Sequence, residues 1–538
     1  MHAVLPVVET TAAEPADVAH PAWVVVCAVT GGALTSAAFP DRGWWPLAFV
    51  GVALLVLASR GLGVAAMSLV WFTWALAFFV PHLAWAREAA GPSAGAALAV
   101  LEAAVLAGVG VGWALARRAA FLARRPGLRA TTFAAVWVTG EQLRSVAPFG
   151  GFPWGRLAFS QVDGPLLPLA SLVGAPGVSF AVALVGAQLA LAVLAVRRRE
   201  TRRVVAAIAT SGVVLVGCSL LPLPTQRESG DLSVGAVQGD VPARPGPDRA
   251  RQVLDNHVAG TRDLAATRSD PVDLVVWPEN ATDIDPRTDP DAAEQVQAAA
   301  ESAGAPVILG AMRSEPGARY NEMLVWDPES GPTASYTKQR PAPFGEYIPL
   351  RSYVRLLSSA VDRVPVDMVP GDAPALLPVP VARLSRDVLA ATVICFEVAF
   401  DDVVRDAVIR GAEILLIPTN NASFGYTAQS TQQLAMSRLR AVEHGRATVQ
   451  ISTVGVSAMI APDGSVLERT ALFTSETMAS RLPLRTTLTV SDRLGGIPVA
   501  VIAVLALGAV AWGSFDRARS TVLVSTSRAA TPSTLRRS

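Results

Sequence analysis

Glu279, Lys338 and Cys395 each stand at or beside the end of an apolar, β-rich run: Glu279 after "DLVVWP", Lys338 after "SYT", Cys395 inside "TVICFE". Taken singly, each has a bland reading. A glutamate after a strand is solvated, a lone lysine aids solubility, and a cysteine in an apolar strand packs as a small hydrophobe. Taken together they supply what a thiol needs to attack a carbonyl: a nucleophile, a carboxylate base for its proton, and a cation where negative charge develops on the oxygen. Lys338 is also the one lysine among 45 Lys and Arg residues. A compact ammonium on a flexible stem can follow a moving oxyanion, whereas a guanidinium is a rigid planar fork.

These residues need a sheet to bring them together, because 116 positions separate Glu279 from Cys395. Apolar runs alternate with helical patterns between 222 and 495. The runs are "LSVGAVQ" (232–238), "DLVVWP" (273–278), "PVILGAM" (306–312), "YNEMLVWDP" (320–328), "VLAATVICFE" (388–397), "EILLIPTN" (413–420) and "TVQISTVG" (448–455). Helices are expected near 248–267, 290–303, 401–411 and 429–445, and "APDGS" (461–465) reads as a hairpin turn. Alternation of this kind predicts an α/β layered domain, whose site forms at the strand ends. Asn321, at a strand start, is a further candidate for the site. Glu397 would share a strand face with Cys395 by the period of two. Phe344, Tyr347 and Phe396 are candidates to line an apolar path, and Phe424 a candidate lid residue. Arg438, Arg440, Glu443 and Arg446 have helical spacing and read as structural pairing.

The rest of the chain is written for lipid. Of 538 residues 51% are hydrophobic and 17% charged, against roughly 25% charged in soluble domains. A formal net charge of +1 gives no basic excess for nucleic acid. Three cysteines (Cys27, Cys218, Cys395) and five histidines show no metal-ligand spacing, so neither metal nor cofactor is expected. Seven apolar stretches, near 22–40, 44–59, 62–83, 94–116, 130–147, 176–196 and 204–221, and an eighth near 496–514, are each read as a membrane span. Pro165, Pro168 and Pro176 place an interfacial loop ahead of the sixth. The expected division is therefore a cytoplasmic segment 1–21, a seven-span domain 22–221, a catalytic domain 222–495, an eighth span 496–514 and a cytoplasmic tail 515–538. Arginine clusters such as "RRRETRR" (197–203) fall on one side of these spans. The positive-inside bias then puts both termini in the cytoplasm and 222–495 on the extracytoplasmic side of the cell membrane. No cleaved signal peptide is expected in the first 20 residues.

The order Glu279–Lys338–Cys395 resembles the triad of the nitrilase (carbon–nitrogen hydrolase) superfamily. "VQGDVP" (237–242), "VVWPEN" (275–280), "YTKQRPAPFGEYIP" (336–349), "VICFEVAF" (393–400), "RLRAVEHGR" (438–446) and "FGGFPWGRLAFSQ" (149–161) together resemble the apolipoprotein N-acyltransferase family. The resemblance implies a membrane domain joined to an extracytoplasmic nitrilase-like αββα sandwich. By that resemblance Cys395 takes an acyl chain from a phospholipid as a thioester. Glu279 is the base and Lys338 steadies the oxyanion. The acyl chain then passes, in ping-pong fashion, to the α-amino group of a diacylglyceryl-cysteine on an apolipoprotein. Glu346 matches a second family glutamate, positioning Lys338 or substrate. Two departures stand out: Phe396 replaces a tyrosine common in the family, and "ARPGPDRA" (243–250) lacks an aromatic that some members carry. A glycosyltransferase partner, whose domain accompanies some actinobacterial relatives, is left open. Two rival readings are a membrane-tethered nitrilase-type amidase and a non-catalytic scaffold or transporter.

Overall fold

The computed structural model describes residues 20–529 apart from 124, 243–245, 247, 358–360 and 363. The expected N-terminal segment up to residue 19, part of "ARPGPDRA" and residues 530–538 of the tail lie outside the described residues. Apolar stretches form helices because a backbone in lipid must satisfy its hydrogen bonds internally. They are α1 (Pro21–Ala37), α2 (Pro46–Ala58), α3 (Val64–His82), the short α4 (Ala84–Ala90), α5 (Pro92–Ala116), α6 (Pro126–Val146), α7 (Ala170–Arg197) and α8 (Thr201–Ser219). Proline opens α1, α2, α5 and α6, where its missing N–H leaves no helical bond unmade.

Each stretch expected to span is helical. Among the described residues, five segments are long and apolar enough to cross a membrane: Val64–His82, Pro92–Ala116, Leu167–Arg197, Thr201–Ser219 and Ile497–Arg517. Helices α1 and α2 are apolar but shorter, and α6 carries Arg129, Glu141 and Arg144. The loop ahead of α7 contains two short 3₁₀ turns, Leu157–Gln161 and Leu167–Leu169. A break at Gly174 (φ 68°) follows, before the continuous part of the helix.

The second domain has two six-stranded sheets. One runs β1 (Asp231–Gln238), β2 (Leu274–Val276), β3 (Val307–Glu315), β4 (Ala318–Asp327), β5 (Gly331–Thr337). The other runs β6 (Leu376–Val381), β7 (Arg386–Thr392), β8 (Ile414–Thr419), β9 (Thr448–Ser452), β10 (Ala458–Ile460), β11 (Val466–Arg469). β12 (Glu476–Pro483) returns to pair antiparallel with β1, Asp231 opposite Pro483. The centre of each sheet is parallel, β1–β2–β3 and β7–β8–β9, with antiparallel strands outside. Crossover helices α9 (Arg249–Thr267) and α10 (Pro290–Ala303) cover the first sheet, α12 (Asp401–Ile409) and α13 (Gln429–His444) the second. A short α11 (Arg351–Leu357) lies on the long β5–β6 connection. Val234, Ala236, Leu274 and Val276 face the second sheet's Val388, Ala390, Leu416 and Val449 in one core. Val237 and Val275 point the other way, onto Leu254, Val258 and Val296 of the covering helices. Both faces of the central strands are thus buried, which is why they read as unbroken apolar runs. The chain then returns through α14 (Val490–Leu494) to α15 (Ile497–Ala529).

Candidate active site

Four strand ends converge on one pole of the sandwich. Glu279 follows β2, Lys338 follows β5, Cys395 lies three residues past β7 and Asn420 one past β8. The backbone of Glu279 is laid along β3 at Gly310, whose N–H bonds Pro278 O at 3.2 Å. A Cβ on Gly310 would sit 2.7 Å from Glu279 Cα and 2.5 Å from Pro278 O, so only glycine lets the two segments close. Lys338 is held by its own N–H to Asn321 O, 2.9 Å, continuing the β4–β5 ladder.

The three expected triad residues come together with Asn321 and Glu346. Lys338 Nζ donates to Glu279 Oε1 at 2.9 Å and to Glu346 Oε1 at 2.8 Å. Asn321 Nδ2 donates to the same two oxygens, at 2.6 and 3.1 Å. The backbone N–H of Asn420 donates to Glu279 Oε2 at 2.8 Å, and Ala342 N–H to Glu346 Oε2 at 2.6 Å. Glu279 and Lys338 are buried, 3% and 2% exposed, so these bonds act where water screens little.

Electrostatics separates the groups. Burial works against the Lys338 ammonium, but the Glu279 and Glu346 carboxylates outweigh it and hold its pKa well above the ordinary value. Burial first and the Glu279 charge second push the Cys395 thiol up to about 12, against the pull of Lys338 and of a hydrogen bond from the Asn420 N–H. Cys395 therefore rests as a thiol, and to attack a carbonyl it would need a carboxylate to take its proton.

Cys395 differs from its expected setting. The strand ends at Thr392, and Cys395–Ala399 is a 3₁₀ turn entered through a left-handed Cys395, φ 52°. A positive φ in a non-glycine residue is uncommon and is concentrated at functional sites. Glu397 accordingly does not share a strand face with Cys395, because no strand exists there. Its carboxylate accepts N–H bonds from Ile394 (2.8 Å), Gln339 (2.7 Å) and Arg340 (3.0 Å), and O–H bonds from Tyr336. It staples the turn that bears the nucleophile to the turn that follows the lysine. Burial raises the Glu397 pKa to about 7, opposed by the Lys338 charge and by these N–H donors.

The aromatic candidates divide. Phe396 and Tyr347 line a cavity of about 220 Å³ beside the nucleophile's turn. Its opposite wall is Phe149, Gly150 and Gly151 from the membrane domain, and Tyr347 Oη donates to Phe149 O at 2.9 Å. Phe344 lies outside that wall, edge-on to Phe149 at 5.9 Å. Phe424 also lies outside it and packs edge-on against Trp85 of α4 at 5.3 Å.

Sequence reasoning missed Asn420, Gly310, Arg340 and the part that 149–151 plays in the cavity. A strand-final "PTN" is the only trace Asn420 leaves in the sequence. The 149–161 loop is held from both domains. Arg144 Nη1 bonds Glu102 at 3.0 Å and Phe152 O at 2.8 Å, and Glu141 accepts from Trp137 and Leu157 N–H, each at 2.9 Å. From the other domain, Asp401 accepts Arg156 Nη1 at 2.8 Å and Gln432 accepts Trp154 Nε1 at 2.7 Å.

Two face-packed sheets with a carboxylate, an amine and a thiol at one pole define a carbon–nitrogen-hydrolase-type domain carried on apolar helices. The family described as "Carbon-nitrogen hydrolase" matches residues 233–489, and "Apolipoprotein N-acyltransferase N-terminal domain" matches residues 31–188. An apolipoprotein N-acyltransferase of Mycolicibacterium smegmatis is 37% identical over 507 residues, 89% of this chain and 83% of the relative. That of Azotobacter vinelandii is 32% identical over 511 residues, 91% and 95% of the two chains. The chain belongs to the apolipoprotein N-acyltransferase family, and its reaction is an N-acyl transfer. Among solved structures, an amidase of the nitrilase superfamily from Nesterenkonia is similar over 52% of this chain and 99% of its own, at 16% identity and TM-score 0.38.

Proposed function

We propose that Cys395, Glu279 and Lys338 carry out a two-step transfer from a phospholipid to the α-amino group of a diacylglyceryl-cysteine at the N-terminus of an apolipoprotein. In the first step Glu279 takes the thiol proton as sulfur adds to the ester carbonyl. The C–S bond forms, the C–O bond breaks, and the proton goes to the departing lysophospholipid alcohol. In the second step the amine adds to the thioester, Glu279 accepts its proton, the C–S bond breaks and the thiol is restored. Two of the three Lys338 ammonium hydrogens point to Glu279 and Glu346, and the third serves the oxyanion in both steps. A thioester keeps enough reactivity for amide formation to run downhill, provided water is kept out.

The observation that carries this reading is the Lys338–Glu279 contact of 2.9 Å beside the half-buried Cys395. The placing of 222–495 on the extracytoplasmic side, of both termini in the cytoplasm and of eight spans in the cell membrane belongs to the same proposal. A wall built by the membrane domain's Phe149–Gly151 supports a lipid-borne substrate over the small amide of a tethered amidase. The charges inside the helices, Glu102, Glu141 and Arg144, are occupied in holding a loop, which leaves a transporter reading without its ion path.

The test is hydroxylamine-labile palmitate labelling from a radiolabelled phospholipid. The wild type forms a thioester and Cys395→Ala forms none; full labelling of Cys395→Ala would remove the thiol from the mechanism. Mass spectrometry of a lipoprotein N-terminus, with and without the enzyme, identifies the acceptor.

A further inference from the structure

The cavity beside the nucleophile's turn has a chemically divided wall. Phe149, Phe396, Phe400 and Pro341 give it apolar surface, and Arg340 is the single charged residue that lines it among the described residues. The backbone of Arg340 is fixed. Its N–H and that of Ile394, next to Cys395, bond the same Glu397 carboxylate, at 3.0 and 2.8 Å. The guanidinium therefore starts from a set position relative to the thiol.

Its side chain, by contrast, is loosely committed. Arg340 Nη2 meets Asp402 Oδ2 at 2.7 Å, with the two side chains 42% and 63% exposed, and its Cζ lies 5.6 Å from the centre of the Phe400 ring. An ion pair this exposed contributes at most about 1 kcal/mol. The neighbouring Asp401 is already clamped by Arg156 and Arg440 and offers no alternative partner. A better-shaped anion at the mouth of the cavity would displace Asp402, and a phosphodiester presents oxygens that match the guanidinium fork.

We propose that Arg340 binds the phosphodiester of the acyl-donor lipid, exchanging Asp402 for phosphate as the acyl ester reaches Cys395. The inference rests on the reading of Cys395 as a nucleophile toward phospholipid. In such a donor the phosphate and the scissile ester are joined through the glycerol, so an anion site beside the turn that bears the thiol sets which ester is presented.

Thioester formation is measured in detergent micelles with two palmitoyl donors: a phospholipid, and p-nitrophenyl palmitate, which has no phosphate. Arg340→Gln is expected to lower kcat/KM at least about tenfold with the phospholipid, mainly through KM, and to change it by less than about twofold with the nitrophenyl ester. Arg340→Lys restores part of the phospholipid rate, and Asp402→Asn keeps or raises it. Equal losses with both donors mean a structural role and overturn the assignment, as does an undiminished phospholipid rate in Arg340→Gln. A wild type that forms no thioester with either donor defeats the acyl-transfer reading itself. An active wild type matched by Arg340→Gln on both donors defeats only the phosphate contact.

Discussion

Two of the chain's buried ionic clusters, one at the pole of the sandwich and one at its junction with the membrane domain, are built on different rules. At the pole of the sandwich one ammonium, Lys338, sits between two carboxylates, beside a thiol whose proton has nowhere to go at rest. At the junction with the membrane domain, Arg156 and Arg440 clamp Asp401 while Arg440 also bonds Glu443. Arg440 directs its remaining donors to Val398 O and Ala399 O, at 2.9 and 3.0 Å. At the junction rigid forks hold the Asp401 and Glu443 carboxylates, although Arg156 Nε and Nη2 have no partner among the described residues. The pole is left open, with a movable cation, a left-handed nucleophile and the Asn321 Oδ1 atom without a partner among the described residues. In the proposed reaction the chain's one lysine serves an oxyanion that is not there at rest.

Exchanging the cation at the pole should break that contrast most severely. Lys338→Arg keeps the charge but puts a planar fork where Glu279, Glu346 and the oxyanion share one nitrogen. Loss of an oxyanion donor costs about 10²–10³ in rate, and displacement of Glu279 adds to it, so palmitate thioester is expected to fall at least about 10³-fold. Labelling near the wild-type level would show that any cation suffices.

The second prediction tests the protonation state. With the thiol pushed up to about 12 against an ordinary 9.0, its thiolate fraction at neutral pH is roughly 10³-fold below that of a free cysteine. A raised thiol pKa means reactivity is low at neutral pH and grows with pH until the pKa is passed. Alkylation of Cys395 by iodoacetamide, in a Cys27→Ser, Cys218→Ser background, is expected to rise about tenfold per unit from pH 7 to 10. A plateau below pH 9 would mean a preformed thiolate. A smaller effect is expected of Asn321→Ala, which removes the amide bridging Glu279 and Glu346 while leaving Lys338 in place. Thioester formation should drop about 10- to 100-fold with little change in KM, since positioning is lost and binding is not.

Much of this architecture is legible in the amino-acid sequence, and what is not has physical causes. The parallel strands announce themselves because both faces are buried, and α9, α10, α12 and α13 fall close to where apolar periodicity puts them. β6, "LLPVPV", is disguised by Pro378 and Pro380, tolerable because it lies at a sheet edge. β12 has no local signal for its pairing with β1, more than 200 residues earlier. The end of β7 is hidden because "VLAATVICFE" contains no glycine, proline or other punctuation. The turn at Cys395 is held by partners distant in sequence, the Gln339 and Arg340 N–H groups on its Glu397 and Arg440 on its Val398 O. Asn420 acts on Glu279 through a backbone N–H, a role that no side chain reports. The meeting of Glu279 and Lys338 beside Cys395 is legible because it depends on residue type and strand order.

The reverse exchange at the junction should have the smallest effect on chemistry and so sharpens the comparison from the other side. Arg440 reaches two carboxylates and two backbone carbonyls through several nitrogens. Arg440→Lys retains the charge, but a single ammonium cannot span these partners, and the buried carbonyls of Val398 and Ala399 lose theirs. Each unsatisfied buried group costs about 1–3 kcal/mol, so the variant is expected to be less stable by about 2–4 kcal/mol in detergent denaturation. Because those carbonyls close the far end of the nucleophile's turn, a modest rate effect is expected, under about threefold per folded molecule. If Arg440→Lys instead matched the loss in Lys338→Arg while remaining folded, the junction would be part of the catalytic apparatus. The division between a structural cluster and the proposed reactive one would then fail.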